Sequence, residues 1–267
     1  MAELKTMSDF KLCPTVIKTL PLFSELNAQE TDIILRSSHL RRCEKGSFLY
    51  LHGDKVTHFY ILCRGIMQIF RETPDGHEIT SEILITGDTL CADEIIQAKR
   101  NHQSHARAVE DCVLLEISLS WMKEHLKDFD HLAARLLAGL SDRLYQAQLE
   151  AEHRATMSAP QMVACFLQRL CVMYDFDSKG FDLPVSKTLI ASRLRMELET
   201  FSRTLKKLKE YGIEVEGTRV TFTDVHAAGE YVCNECSINE DCPTHQLLHD
   251  CGRQSEPEFA AGKRPMF

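Results

Sequence analysis

Four cysteines gather in a 19-residue stretch near the C-terminal end of this 267-residue sequence: Cys233, Cys236, Cys242 and Cys251, spaced Cys-x2-Cys-x5-Cys-Pro-x7-Cys. Thiolates at this spacing can converge on one metal centre, and sulfur donors select zinc or an iron–sulfur cluster. Three readings compete. An iron–sulfur centre on Cys233, Cys236 and Cys242, with Cys251 or Cys13 as the fourth ligand, is the first. A structural zinc knuckle in which His245 or His249 replaces a thiolate is the second. A disordered tail of uncommitted thiols is the third. The other cysteines (Cys13, Cys43, Cys63, Cys91, Cys112, Cys165, Cys171) stand among apolar neighbours and read as small buried hydrophobes. With 11 cysteines in all, an odd number, no disulfide framework suggests itself.

A second set of reactive groups lies between Pro184 and Arg219. Eight basic residues there oppose five acids, inside a chain whose formal net charge is −8. A basic module on an acidic body confines attraction for phosphate to one surface. Within it, Arg203 can donate two hydrogen bonds to guanine, Glu199 can accept from a base amine, and Ser202 can do either. Lys187, Thr200, Lys206 and Lys207 suit phosphates, which set register without reading sequence. Taken alone, such a face could equally be a solvated helix surface with Glu–Arg and Glu–Lys pairs. No Ser-His-Asp order, phosphate loop or metallohydrolase motif with supporting context is present, so no enzyme is expected.

The elements that must position these groups follow from the periodicities. Residues 14–37 have helical spacing. From Leu40 to Ile117, short apolar runs alternate with turn signals (His52-Gly53-Asp54, Arg64-Gly65, Pro74-Asp75-Gly76, Gly87-Asp88), which predicts an antiparallel β unit. From residue 128 the pattern is helical, and Leu137, Leu140, Leu144, Ala147 and Ala151 step by three and four in a heptad seam suited to a second copy of the chain. Ser158 caps a further helix buried through Met162, Val163, Phe166, Leu167 and Leu170, and 175–180 is a polar turn. Ser186 caps Lys187–Leu194, with Leu189, Ile190 and Leu194 inward. Arg195-Met196 turns the chain, and Glu197 opens a helix that buries Phe201, Leu205 and Leu208. Residues 213–222 form a hairpin wing. The expected class is α+β in four parts: a sensor domain at 1–127, a dimerisation helix at 128–157, a winged helix-turn-helix at 158–226 and a cysteine-rich tail at 227–267. No apolar run approaches the roughly 20 residues needed to span a bilayer, and the charged residues of 1–10 do not make a secretion signal, so a cytoplasmic location without a membrane partner is expected.

The order of these parts, with Lys45-Gly46-x3-Tyr50-x2-Gly53-Asp54, Phe59-Tyr60-x4-Gly65, Pro74-Asp75-Gly76, Gly87-Asp88 and Glu199-Thr200-Phe201-Ser202-Arg203, resembles the CRP/FNR family of bacterial transcription regulators over Leu20 to Asp224. The resemblance implies an antiparallel β-roll of cyclic-nucleotide-binding type, a long dimer helix, a winged helix-turn-helix on palindromic double-stranded DNA, and RNA polymerase as a partner. The Glu-x-x-Ser-Arg pattern is similar to the FNR branch, whose half-site is typically TTGAT, and implies Glu199, Ser202 and Arg203 as base readers. Two departures bear on the signal. Where cyclic-nucleotide-binding members carry Gly-Glu and Arg-Ser, this sequence has Cys91-Ala92 and His102-Gln103, and a neutral His-Gln pair cannot replace a guanidinium clamp on phosphate. This argues against cyclic AMP. The N-terminal cysteine cluster of FNR is also missing. The expected input is therefore oxygen, nitric oxide or redox state sensed at the tail. Haem in the sensor domain is the alternative, with His39, His52, His58, His77, His102 and His105 available there. Arg195 stands where a glycine is usual.

Overall fold

The computed structural model describes residues 13–96, 101–129, 131–173 and 180–233, together with Cys236, Cys242 and Thr244. It divides into two compact units, with the division between Arg143 and Leu144.

The first unit opens with α1 (Pro14–Thr19) and α2 (Ala28–Ser37). Asn27 caps α2: its side chain accepts from the N–H groups of Gln29 and Glu30 at 2.9 and 3.0 Å, and Glu30 accepts from the Asn27 N–H at 2.8 Å. This reciprocal box satisfies donors the helix cannot. The strands β1 (Ser38–Cys43), β2 (Phe48–Tyr50), β3 (His58–Arg64), β4 (Met67–Glu72), β5 (Glu78–Leu84) and β6 (Thr89–Leu90) follow. The short helix α3 (Asp93–Ile96), then β7 (His105–Ala108), β8 (Cys112–Ser118) and α4 (Leu119–His125) complete the unit before the long helix. Two four-stranded sheets result, in the orders β1-β8-β3-β6 and β2-β7-β4-β5, with every pairing antiparallel.

The two-residue repeat of β3 shows how the roll is filled. Phe59 and Ile61 join a cluster with α1, α2 and α4, whereas Tyr60 and Leu62 join Met67, Ile69, Ala106 and Leu114. Successive side chains on a strand face opposite ways, so β3 feeds both clusters. The expected β unit is thus present; β1, β6 and β7 were not anticipated.

The long helix α5 (Leu132–Thr156) starts four residues later than residue 128 and carries the chain into the second unit. There follow α6 (Ala159–Met173), β9 (Phe181–Asp182), α7 (Lys187–Arg193), α8 (Leu198–Lys207), β10 (Ile213–Glu216), β11 (Arg219–Phe222) and α9 (Val225–Cys233). The wing is a three-stranded sheet, β10-β11-β9, rather than the expected hairpin alone. Gly180 leads into β9 with φ +84°, and a Cβ there would lie 2.1 Å from the Val220 carbonyl oxygen, so only glycine fits. Helix α9 was also unforeseen. The predicted turn at 175–180 falls on residues outside the described set, Gly180 apart.

Of the heptad positions, Leu137 and Leu144 are exposed (59% and 61%), as are Ala147 and Ala151. Leu140 differs: it is half-buried against the first unit's core. Met162 and Leu194, expected inward, are also only half-buried. Among the described residues no helix is long and apolar enough to cross a membrane.

Candidate nucleic-acid interface and C-terminal thiol site

Local chemistry builds the helix-turn-helix. The Ser186 hydroxyl accepts the Leu189 N–H at 3.2 Å and starts α7, and Leu189 and Ile190 are buried. The Leu194 N–H closes the helix on the Ile190 carbonyl, and the Met196 N–H reaches back to Ala191 at 2.9 Å. Between them Arg195 adopts φ +56°, the left-handed region the usual glycine would occupy freely. The turn is therefore kept without glycine. Glu197 is the N-cap residue of α8, and Phe201, Leu205 and Leu208 are buried at 0%, 7% and 0%, as the period requires.

That burial leaves Glu199, Thr200, Ser202, Arg203, Lys206 and Lys207 exposed together, while Lys187 is half-buried. The Arg203 guanidinium pairs with the Glu199 carboxylate one turn earlier, and both side chains are about three-quarters exposed (74% and 75%). Two of the three proposed base readers thus hold each other extended from the first turns of α8, the part of a recognition helix that enters the major groove. Arg193 is different from the basic residues around it. It is buried, and its guanidinium pairs with Glu150 of α5, so it is not available to phosphate. The link spans 43 residues of sequence, which a local charge count cannot reveal.

Helix α9 places the tail. Ala228 and Val232 are buried, the Gln161 amide of α6 donates to the Tyr231 carbonyl at 3.3 Å, and the Tyr231 and Tyr211 rings stack at 3.6 Å. Cys233 ends the helix buried, and the Cys236 N–H donates to the Cys233 carbonyl at 3.1 Å. The Cys236 Sγ lies 3.5 Å from Nε2 of His153, a buried residue of α5. Burial pushes the Cys233 thiol up to about 12, with Cys165, Cys242 and Cys236 adding to the rise. Burial likewise pushes Cys165, on α6, up to about 12; Arg169 opposes this, and Cys242 and Cys236 reinforce it. Among the described residues, no three His, Cys, Asp or Glu side chains already stand at spacing that holds a metal ion. Cys251, His245 and His249 fall outside the described residues. Cys13 is the N-cap residue of α1 in the first unit.

In the β-roll, Cys91 and His102 meet: Sγ and Nδ1 are 3.7 Å apart, and the His102 ring stacks flat on Tyr50 at 3.6 Å. Burial lowers the His102 pKa, with Asp54 opposing, which keeps the ring neutral near pH 7. Cys91 itself has φ +61°. Gln103 is exposed, its amide donating to the Asn101 carbonyl at 3.0 Å. The remaining sensor histidines are dispersed. His58 lies 3.6 Å from Glu116, His77 lies 3.4 Å from Asp75, the His105 ring stacks on Phe70, and the His52 N–H donates to His105 at 3.3 Å. His39 is exposed.

Known proteins match this arrangement in order. Residues 40–128 match the cyclic nucleotide-binding domain, and residues 161–227 match the Crp-like helix-turn-helix domain. The chain is 26% identical over 209 residues to the anaerobic regulatory protein of Haemophilus influenzae, covering 75% of this chain and 79% of that one. It is 26% identical over 216 residues to electron transport regulator A of Shewanella oneidensis, covering 78% and 84%. The structure of FixK2 from Bradyrhizobium japonicum shares the fold with a TM-score of 0.60 at 18% identity, covering 80% of this chain and 96% of that one. A cyclic nucleotide-binding domain followed by a Crp-like helix-turn-helix, joined here by the long helix α5, makes this chain a member of the CRP/FNR family of transcription regulators.

Proposed function

We propose that this regulator binds a palindromic, FNR-like DNA site as a homodimer and answers to oxygen, nitric oxide or redox state through an iron–sulfur centre on its C-terminal thiols. The exposed row Glu199, Ser202 and Arg203 on α8 carries the DNA half of the reading. Arg203 would exchange its ion pair with Glu199 for guanine O6 and N7, and Glu199 would then be free to accept from a neighbouring base amine. Lys206 and Lys207, with Thr200 and Lys187, would anchor phosphates. The exposed Leu137, Leu144, Ala147 and Ala151 on α5 support pairing of two copies, because a stripe of that spacing gains most by burial against its own repeat. RNA polymerase is the partner such a regulator would act on.

The donor set supports the metal half. Cys233 ends α9, which packs on α6, and thiols at Cys-x2-Cys spacing suit a cluster better than they suit hard cations. When bound, the cluster supplies redox chemistry; the protein's part is to hold its ligands and to limit access. Cyclic AMP does not fit the β-roll in this reading, since His102 is turned inward onto Tyr50 and brings no charge to a phosphate. Haem there finds no support in histidines that are already engaged with carboxylates and rings. Anaerobic purification with assay of iron and acid-labile sulfide tests the reading. Iron and sulfide in equal amounts are expected, whereas zinc without iron would refute the sensor and leave a structural knuckle.

A further inference from the structure

We propose that the ion pair between Glu150 of α5 and Arg193 of α7 sets how far apart the two recognition helices of the dimer stand, and so which half-site spacing the regulator accepts. This rests on reading the chain as a homodimer on a palindromic site. Both residues lie in the second unit. From residue 144 to residue 153, α5 is divided lengthwise. Leu144, Ala147 and Ala151 are exposed, whereas Leu149 and His153 are buried and Gln146 and Glu150 are half-buried. Residues 146, 149, 150 and 153 recur at steps of three and four, so they form one stripe, turned away from the exposed one.

The inward stripe is tied to the rest of its unit by polar contacts. Gln146 accepts from the Arg169 guanidinium of α6 at 2.9 Å, and His153 lies 3.5 Å from the Cys236 sulfur. Glu150 reaches the helix-turn-helix itself. Arg193 is the last residue of α7, directly before the turn through Arg195 that leads into α8. Its side chain is 10% exposed and that of Glu150 21%; Nη1 donates to Oε2 at 2.9 Å, and Nη2 to Oε1. The Arg193 Nε is buried with no hydrogen-bond partner among the described residues, so the hold on this guanidinium falls to Glu150. Arg154, one turn along α5, stands 3.9 Å from the same carboxylate.

A planar fork that meets a carboxylate at two points fixes direction as well as distance. Apolar packing is non-directional and does not. Such a pair adds little to stability, since desolvating both charges offsets most of their attraction. Its effect is on placement: a helix-turn-helix seated otherwise on α5 leaves a buried guanidinium unpaired. With the outward stripe given to the second copy, the seat of α7 on α5 fixes α8 relative to the dimer axis. In a two-fold dimer that separation is read as half-site spacing. The pair is thus a positioning contact, and neither residue needs to touch DNA.

Fluorescence anisotropy tests this on duplexes whose two TTGAT half-sites are moved apart base pair by base pair, and on a duplex with one half-site. The anaerobically purified full chain is compared with Glu150→Leu/Arg193→Met, which leaves no charge stranded, and sedimentation and a thermal melt are recorded on each. Wild type should prefer one spacing over its neighbours by at least about tenfold, because a misplaced half-site loses its contacts. The double variant should stay dimeric, bind the single half-site as wild type does, and show a preference of about threefold or less. A wild-type spacing preference in the double variant overturns the assignment, even if its melting point falls. If the double variant does not fold, Arg193→Lys carries the test, because it keeps the charge and loses the fork. Its preference should fall by at least about threefold, and an unchanged preference overturns the assignment. A wild type that is monomeric, or that prefers no spacing, refutes the homodimer reading and this inference with it.

Discussion

In the β-roll, His102 lies flat on Tyr50 and against Cys91, at positions where the resemblance to nucleotide-binding members implies a clamp. In the C-terminal half, Cys233 ends α9, the Cys236 N–H donates to its carbonyl, and the Cys236 sulfur lies 3.5 Å from Nε2 of His153. Both places pair a cysteine with a buried histidine, but in the first the ring is also stacked on Tyr50, whereas the second carries the Cys-x2-Cys pair Cys233 and Cys236. A side chain stacked and hydrogen-bonded in place resists exchange for a ligand, because its partners must be left unsatisfied. On the reading proposed above, the input lies in the unit that also holds α8.

The strongest way to break that contrast is to exchange thiols in the two places. Cys236→Ser should abolish nearly all iron, while Cys91→Ser should keep it; a chain that loses iron only with Cys91→Ser would put the centre in the β-roll. The seam on α5 comes next. Leu144→Glu places a charge on an exposed leucine and should cost about 3–4 kcal/mol across two copies, a few hundredfold in dimer dissociation. Sedimentation at micromolar concentration would show monomer, and an unchanged dimer would remove the heptad stripe from the account. On α8, Arg203→Ala should cost about 1–3 kcal/mol and relax preference at one base pair. Lys206→Ala should weaken all sequences alike and reduce the salt slope by about one. Equal losses on specific and random DNA for both variants would contradict the division between reading and anchoring.

Much of this was legible in the sequence because it is local. Ser186, the Phe201–Leu205–Leu208 period and the glycine-punctuated strands each declare themselves within a few residues. What was not legible is non-local. The two residues of β9 gain their identity from β11, almost 40 residues away, and Arg193 is assigned to the core by Glu150 rather than by its neighbours. Cys91 and His102 stand out in the sequence as departures from a clamp, but the stacking of His102 on Tyr50 depends on how β2 and the segment before β7 lie side by side.

Smaller effects sharpen the contrast further. His102→Gln removes the stack on Tyr50 and should destabilise the β-roll by about 1 kcal/mol while leaving iron content unchanged. It should also alter the pH dependence. Burial lowers the His102 pKa from its ordinary 6.5, so the unfolded chain takes up the proton first. Stability contributed by the neutral ring is present above about 6.5 and is lost as pH falls from there toward the folded value. His153 acts in the same direction in both proteins, so the difference between wild-type and His102→Gln denaturation midpoints below pH 6.5 isolates His102. A difference that does not vary with pH would deny the buried neutral ring. Smallest of all, Arg195→Gly relieves the left-handed turn at the cost of chain entropy, and should raise the thermal midpoint slightly, by roughly 0.5 kcal/mol in stability. A clear loss would mean that the Arg195 side chain holds the turn.

On the reading proposed above, the C-terminal thiol site, and not the β-roll, governs DNA binding. Fluorescence anisotropy on a palindromic TTGAT duplex, with anaerobically loaded protein and with the same protein after chelation, tests it most directly. The two forms should differ in affinity by at least about tenfold, or 1.4 kcal/mol, with cyclic AMP changing neither. Equal affinities for loaded and stripped protein, or a tenfold response to cyclic AMP, would contradict it.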